Sequence, residues 1–296
     1  MERPVVAGVD GSAESLAAVE WAAREAELRD LPLRLVHAWN WNPHPPSDVP
    51  AGVTAAGAAQ RVRARRMLDE GESRVRAVCP RVPLTADALE GPASAALLGA
   101  AKEAGILVLG SRGLATVTGI VVGSVAQNVA AASPVPVVLV STGVLDESPA
   151  SSRGATVVLG LDLADPCDEV LDFAFAAARL RGARLRVLSA WRSPALYTLG
   201  PGELALAEGP RRGEEWRGFQ DAVLRPWRDK FPGVEVVGTV VEGRPATSLL
   251  GAAGEAGLVV VGRHAHEGHV LGRHNGPVTH ALMHHARCPV AVVPHP

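Results

Sequence analysis

Aromatic side chains are scarce in this chain: 4% of its 296 residues, with a single tyrosine. So few rings leave no stacking platform for the bases of a single strand. Cysteine is equally sparse. Cys79, Cys167 and Cys288 are far apart and show no paired spacing, which suits a reducing compartment better than a disulfide framework. No apolar run approaches the ~20 residues that span a bilayer. Charge of one sign is also missing: 29 Lys and Arg stand against 31 Asp and Glu, a net charge of −2. That balance supplies no field for nucleic acid or anionic lipid. An apolar stretch begins within four residues of the first methionine, so no signal peptide is expected. These absences lead to the expectation of a cytoplasmic protein with neither membrane nor nucleic acid as partner.

What is present is a core and a pattern. Hydrophobic residues make up 47% of the chain, enough for one large domain or two ordinary ones. Residues 5–10 (VVAGVD) read as a strand apolar on both faces, as in a parallel sheet covered by helices. Asp10, Gly11 and Ser12 end it, with Ser12 as helix N-cap. Leu16, Val19, Ala23 and Ala26 recur at helical spacing to about Arg29. Further strands are expected at 33–39, 82–89, 106–109 and 134–140, the last with Pro134 and Pro136 near its start. Helices are expected at 54–78, 93–103 and from Ser124. In the first of these, Arg61, Arg63, Arg65 and Arg66 interleave with Asp69, Glu70 and Glu72, which reads as a solvated face.

The pattern then repeats. Residues 157–162 (VVLGLD) answer 5–10, and 185–191 (LRVLSAW) answer 33–39 (LRLVHAW), both at a displacement of 152 (162 − 10; 191 − 39). Glu242 and Gly243 answer Glu90 and Gly91, residues 249–253 answer 97–101, and Gly262 answers Gly110, all at 152. A register held so long marks a tandem duplication whose unit is too large for a solenoid. The expected domains are 1–142 and 153–296, joined by a linker at 143–152. Strands alternating with helices predict an α/β fold of two tandem doubly wound parallel-sheet domains. Ligands of such sheets bind outside the strand carboxyl ends.

One stretch carries the chemistry. Residues 110–124 read GSRGLATVTGIVVGS: Gly110, two residues, Gly113, nine residues, Gly123 and Ser124. Glycines let a ligand approach the main chain, and a helix beginning near Ser124 presents unpaired N–H groups to phosphate oxygens. The loop lacks the Gly-Lys-Ser/Thr ending of a P-loop and lies far from the first strand, unlike a Rossmann fingerprint.

This spacing resembles the nucleotide-binding motif of the universal stress protein family, in its tandem two-domain form and ATP-binding branch. The resemblance covers both halves. It implies the adenine-nucleotide alpha-hydrolase-like fold, five strands per domain in the order 3-2-1-4-5, with ATP as ligand, alone or with Mg²⁺. It implies that Asp10 lies near ribose and adenine, and that the main chain at Val9 and Ala38 lines the adenine. Gly110, Arg112, Gly113, Gly123, Ser124 and Val125 would form the ribose- and phosphate-binding turn. Read alone, Asp10 is a turn-forming aspartate and Arg112 a solvated loop arginine. The resemblance also implies pairing through the last strands, 137–140 and 290–293, within the chain or in a homodimer.

The second half departs from the motif. Ala265 stands where Gly113 stood, ten residues rather than nine separate it from Gly276, and Pro277 replaces Ser124. Leu163 and Ala164 replace Gly11 and Ser12, although Asp162 is kept. Proline suits a first helical turn but removes a main-chain donor and a hydroxyl. The fold is expected to survive here and ATP binding to be lost or much weakened. Eight of the ten histidines fall in this half. His280 and His284 have the i, i+4 spacing of a metal pair, but no carboxylate or cysteine accompanies them, and no metal is expected. No catalytic constellation has motif support. The leading expectation is an ATP-binding stress-response module. The alternatives are a slow ATPase and a dimeric interaction protein that needs no nucleotide.

Overall fold

Val5, Val6 and Ala7 of β1 (Val5–Gly8) are wholly buried, as a strand apolar on both faces must be when helices cover both. The computed structural model describes residues 3–39, 55–111, 123–142, 156–191, 209–265 and 275–296. They fall into two units: residues 1–146 with 265–275, and residues 147–264 with 276–296.

In the first unit β1 is central. It pairs in parallel with β2 (Leu33–Trp39) on one side and β4 (Ile106–Gly110) on the other. β3 (Leu84–Glu90) adds beyond β2, and β5 (Val137–Val140) beyond β4. The order is 3-2-1-4-5, as expected. Helices α1 (Ala13–Arg29) and α2 (Ala55–Val78) pack against each other and against the sheet. So do α3 (Ala93–Ala101) and α4 (Ser124–Ala132). The core is built from small and branched residues: Ala18, Val19, Ala22, Ala23 and Ala26 of α1 are all completely buried.

The second unit repeats this: β6 (Thr156–Gly160), α5 (Asp168–Arg181), β7 (Leu185–Trp191), α6 (Gly209–Lys230), β8 (Val236–Glu242), α7 (Pro245–Ala253), β9 (Ala256–His264), α8 (Pro277–His285) and β10 (Val290–His295). β6 pairs with β7 and β9, β7 with β8, and β9 with β10, again in parallel. β7, β8 and α7 keep the bounds of β2, β3 and α3 shifted by 152 (185 − 33; 236 − 84; 245 − 93). Most of the described aromatic mass lies here, where Phe175 packs on Phe231 and Trp227 at ring distances of 5.5 and 5.9 Å.

Several boundaries differ from expectation, each at a glycine or a proline. β1 stops at Gly8, so Val9 and Asp10 lie beyond it; Gly11 follows at φ +80, which an extended strand cannot accommodate. β3 starts at Leu84 and β5 at Val137, each just after a proline that has no N–H for the ladder. The carbonyls of Pro83 and Pro136 still accept, from Leu33 N and Leu107 N.

Candidate functional site

The carboxyl edge of the first sheet is set by the β1–β2–β4 register. Val9 N donates to the Val36 carbonyl at 2.8 Å, so Val9 stays in the sheet plane one residue past β1. Its own carbonyl lies 2.7 Å from Nδ1 of His37. Both main-chain groups of Val9 are therefore engaged, and His37, the residue before Ala38, was not foreseen as part of this edge. Its signal was positional: it sits two residues short of the β2 carboxyl end. Ala38 pairs with Leu89 on β3 and is half-buried.

Asp10 is exposed and closes a turn. Its Oδ1 accepts from Ser12 N at 2.9 Å and from the Ser12 hydroxyl. Ser12 Oγ in turn accepts from Ser15 N at 3.1 Å, the N-cap bond of α1. The turn-forming role read from Asp10 alone is thus realised, and it orients the carboxylate at the edge. Gly110 ends β4, where an added Cβ would come within 2.6 Å of the Glu14 carbonyl carbon and 2.7 Å of Ser15 N. The first turn of α1 crosses directly over Gly110, so this glycine has a packing reason of its own.

Gly123 differs. It is the N-cap of α4 at φ −56, a conformation open to any residue, and among the described residues an added Cβ meets nothing within 4 Å. As a glycine it brings no side chain of its own to cap the helix. The first intrahelical bond runs from Gln127 N to the Gly123 carbonyl at 3.1 Å. The N–H groups of Ser124, Val125 and Ala126 therefore have no acceptor within the helix, and the positive dipole end falls on them. Because α4 returns towards the start of β5, its N-terminus lies at the carboxyl edge with Val9, Asp10, Ala38 and Gly110. Ser124 is exposed and Val125 half-buried. Arg112 and Gly113 lie outside the described residues. A cavity of about 310 Å³ lined by Arg184, Arg186, Val158 and Thr239 lies in the second unit, towards the strand amino ends, and does not share this edge.

At the corresponding edge of the second unit the Asp162 turn persists, with Ala164 N donating to Asp162 Oδ1 at 2.9 Å. The helix after it does not start in the same place. α5 begins at Asp168, three residues later than α1 once the displacement of 152 is applied (168 − 152 = 16 against 13). Ser12 has no counterpart here, and Pro166 holds Asp165 out of helical geometry. Residues 163–167 form a loop instead. It carries Asp165 and Cys167 to His295 on β10 and His264 on β9, which are register partners. Cys167 Sγ lies 2.9 Å from His295 Nδ1, His264 Nε2 lies 3.4 Å from Asp165 Oδ2, and the two rings are 4.4 Å apart. Sequence spacing could not reveal this group, because 128 residues separate Cys167 from His295. Burial, then the Asp165 carboxylate, pushes the Cys167 thiol up to about 11. Burial takes Cys288 up to about 12, and burial with the Glu27 carboxylate takes Cys79 up to about 11. His280 and His284 do meet, with rings 4.3 Å apart. Burial, then the neighbouring His280 and His285, lowers the His284 pKa.

Fold and register together define a protein of two tandem doubly wound α/β units. The universal stress protein family model matches residues 1–141 and 155–294, and the chain belongs to that family. It is 32% identical to Universal stress protein Rv1996 of Mycobacterium tuberculosis, over 97% of this chain and 94% of that one. It is 30% identical to a universal stress protein of Mycolicibacterium smegmatis, over 99% and 97%. A universal stress protein structure from Archaeoglobus fulgidus superposes with a TM-score of 0.70 at 18% identity, covering 98% of each chain.

Proposed function

We propose that this tandem universal stress protein is an ATP-binding signalling module that holds one nucleotide, in its first half. The observation that carries the reading is Gly123. Neither its backbone conformation nor its surroundings among the described residues call for glycine, whereas phosphates against the first turn of α4 do, because a side chain there would block the N–H groups of Ser124 and Val125. Asp10 accepts from ribose hydroxyls, Val9 and Ala38 wall the adenine, and Gly110, Arg112 and Gly113 complete the turn, with Mg²⁺ as an optional companion of the phosphates. The second half has Pro277 in place of Ser124. Losing a main-chain donor and a hydroxyl to a charged ligand, at roughly 1.5–3 kcal/mol each, weakens binding there by orders of magnitude. The protein works in the cytoplasm, pairs its last strands within the chain or in a homodimer, and turns ATP over slowly or not at all.

Native mass spectrometry of the purified chain, before and after ATP addition, tests this. One nucleotide per chain is expected, and none in Gly123→Val. Two per chain would overturn the silent second half. No binding after ATP addition would overturn the nucleotide reading and favour the interaction protein.

A further inference from the structure

We infer that the second unit carries a binding site for a divalent transition metal of zinc type, formed by Asp165, Cys167 and His295 and braced by His264. Nothing in this depends on nucleotide binding in the first unit.

The geometry comes from three separate elements. Asp165 and Cys167 lie on the loop before α5, with Cys167 as the N-cap residue of that helix, whose side chain makes no capping bond. His295 ends β10 and His264 ends β9. A carboxylate oxygen of Asp165, Sγ of Cys167 and a ring nitrogen of His295 lie within 4.8 Å of one another, and they are the only such trio of His, Cys, Asp or Glu ligand atoms among the described residues. Bonds of about 2.3 Å to sulfur and about 2.0–2.2 Å to nitrogen and oxygen fit inside a triangle of that size. Thiolate, imidazole and carboxylate together are a zinc-type donor set.

The surroundings hold these groups in place. His295 is 7% exposed, and its ring lies against Gly262, where an added Cβ would come within 2.8 Å of Nε2. Gly262 is the counterpart of Gly110. In the first unit that position makes room for the first turn of α1; here, with α5 starting later, it makes room for an imidazole. Nδ1 of His295 is the ring nitrogen that faces the thiol, and the Pro296 carbonyl lies 3.1 Å from it. His264 Nε2 stands 3.4 Å from Asp165 Oδ2, so it orients the carboxylate as an outer-shell histidine does. On binding, the Cys167 S–H bond breaks, its proton passes to solvent and the sulfur lone pair goes to the metal. The thiolate and the Asp165 carboxylate together balance a dication. Three protein ligands leave a fourth position for water or for a further ligand.

The metal-stripped full chain should be titrated with Co²⁺ and then Zn²⁺. The expected result is one Co²⁺ per chain, with a thiolate-to-cobalt charge-transfer band and visible bands of four-coordinate type, all displaced by Zn²⁺. Cys167→Ser should lose the charge-transfer band, while Cys79→Ser keeps it. Asp165→Asn, which spares the thiol, should bind Co²⁺ at least about tenfold more weakly, and His264→Ala about 10–100-fold more weakly with an unchanged spectrum. The His280→Ala/His284→Ala double variant should bind as the parent chain does. Far-ultraviolet circular dichroism separates a misfolded variant from a folded one that has lost the metal. Absence of a thiolate band in the parent chain, its persistence in Cys167→Ser, parent-like affinity in Asp165→Asn, or loss of binding in the His280/His284 variant would each overturn the inference.

Discussion

Gly110 and Gly123 belong to one sequence motif, yet the structure gives them different physical duties. A Cβ at Gly110 collides with backbone atoms of Glu14 and Ser15, which cannot move without displacing α1. Gly110→Ala is therefore expected to lower stability by about 1–3 kcal/mol, read by urea denaturation. Gly123→Val meets ordinary φ and open space among the described residues. Its unfolding free energy should fall by no more than about 1 kcal/mol, the cost of an unfavourable N-cap residue, while nucleotide is lost. Equal destabilisation by both would remove the distinction. His284 supplies a pH test. Its folded pKa lies below the ordinary histidine value of about 6.5 because burial disfavours the charged ring. In that window the unfolded chain binds more protons than the folded one, so stability rises with pH. The contribution is complete above about 6.5 and is lost as pH falls through that value towards the lower folded pKa. His284→Ala should flatten this slope in chemical denaturation between pH 7 and about pH 5, and an unchanged slope would assign it elsewhere.

At the scale of elements, the duplicated helices form internal controls. α1 ends on Asp30 in the left-handed region at φ 55, and α5 ends on Gly182 at φ 58, the same position after the displacement of 152 (182 − 30). In both, the cap N–H reaches back to the preceding turn, so the geometry is kept and only the cost differs. Left-handed backbone costs a residue with a Cβ about 1–2 kcal/mol. Asp30→Gly should recover part of this, about 0.5–1 kcal/mol, seen as a higher denaturation midpoint. The helix starts diverge instead. α1 is held by Ser12, and Ser12→Ala should cost about 1 kcal/mol, while the Asp10 turn keeps its main-chain bond as the Asp162 turn does with Ala164, so stability should fall more than nucleotide affinity. In α5 the lost cap and Pro166 move the start by one turn, and the freed residues become side-chain donors. The later start of α5 and the approach of Asp165 and Cys167 to His295 are the same local event.

For the whole molecule, much was legible beforehand. The constant displacement of 152 revealed the duplication, and alternating apolar runs and helical spacing revealed the parallel sheets, because burial on both faces leaves a periodic signature in residue type. The order 3-2-1-4-5 came from resemblance, and the register bears it out. Val9, Asp10, Ala38, Gly110 and the start of α4 were legible as edge residues because strand ends and caps are local features of the chain. What the sequence by itself determined is therefore everything set by neighbours a few residues apart: helices, strands, turns and the repeat. Only the tertiary structure decided that Gly110 lies under α1, that His37 occupies the Val9 carbonyl, and that Cys167, Asp165, His264 and His295 converge. These depend on which residues of distant segments end at the same sheet edge, and chain separation carries no information about that distance once a sheet has folded.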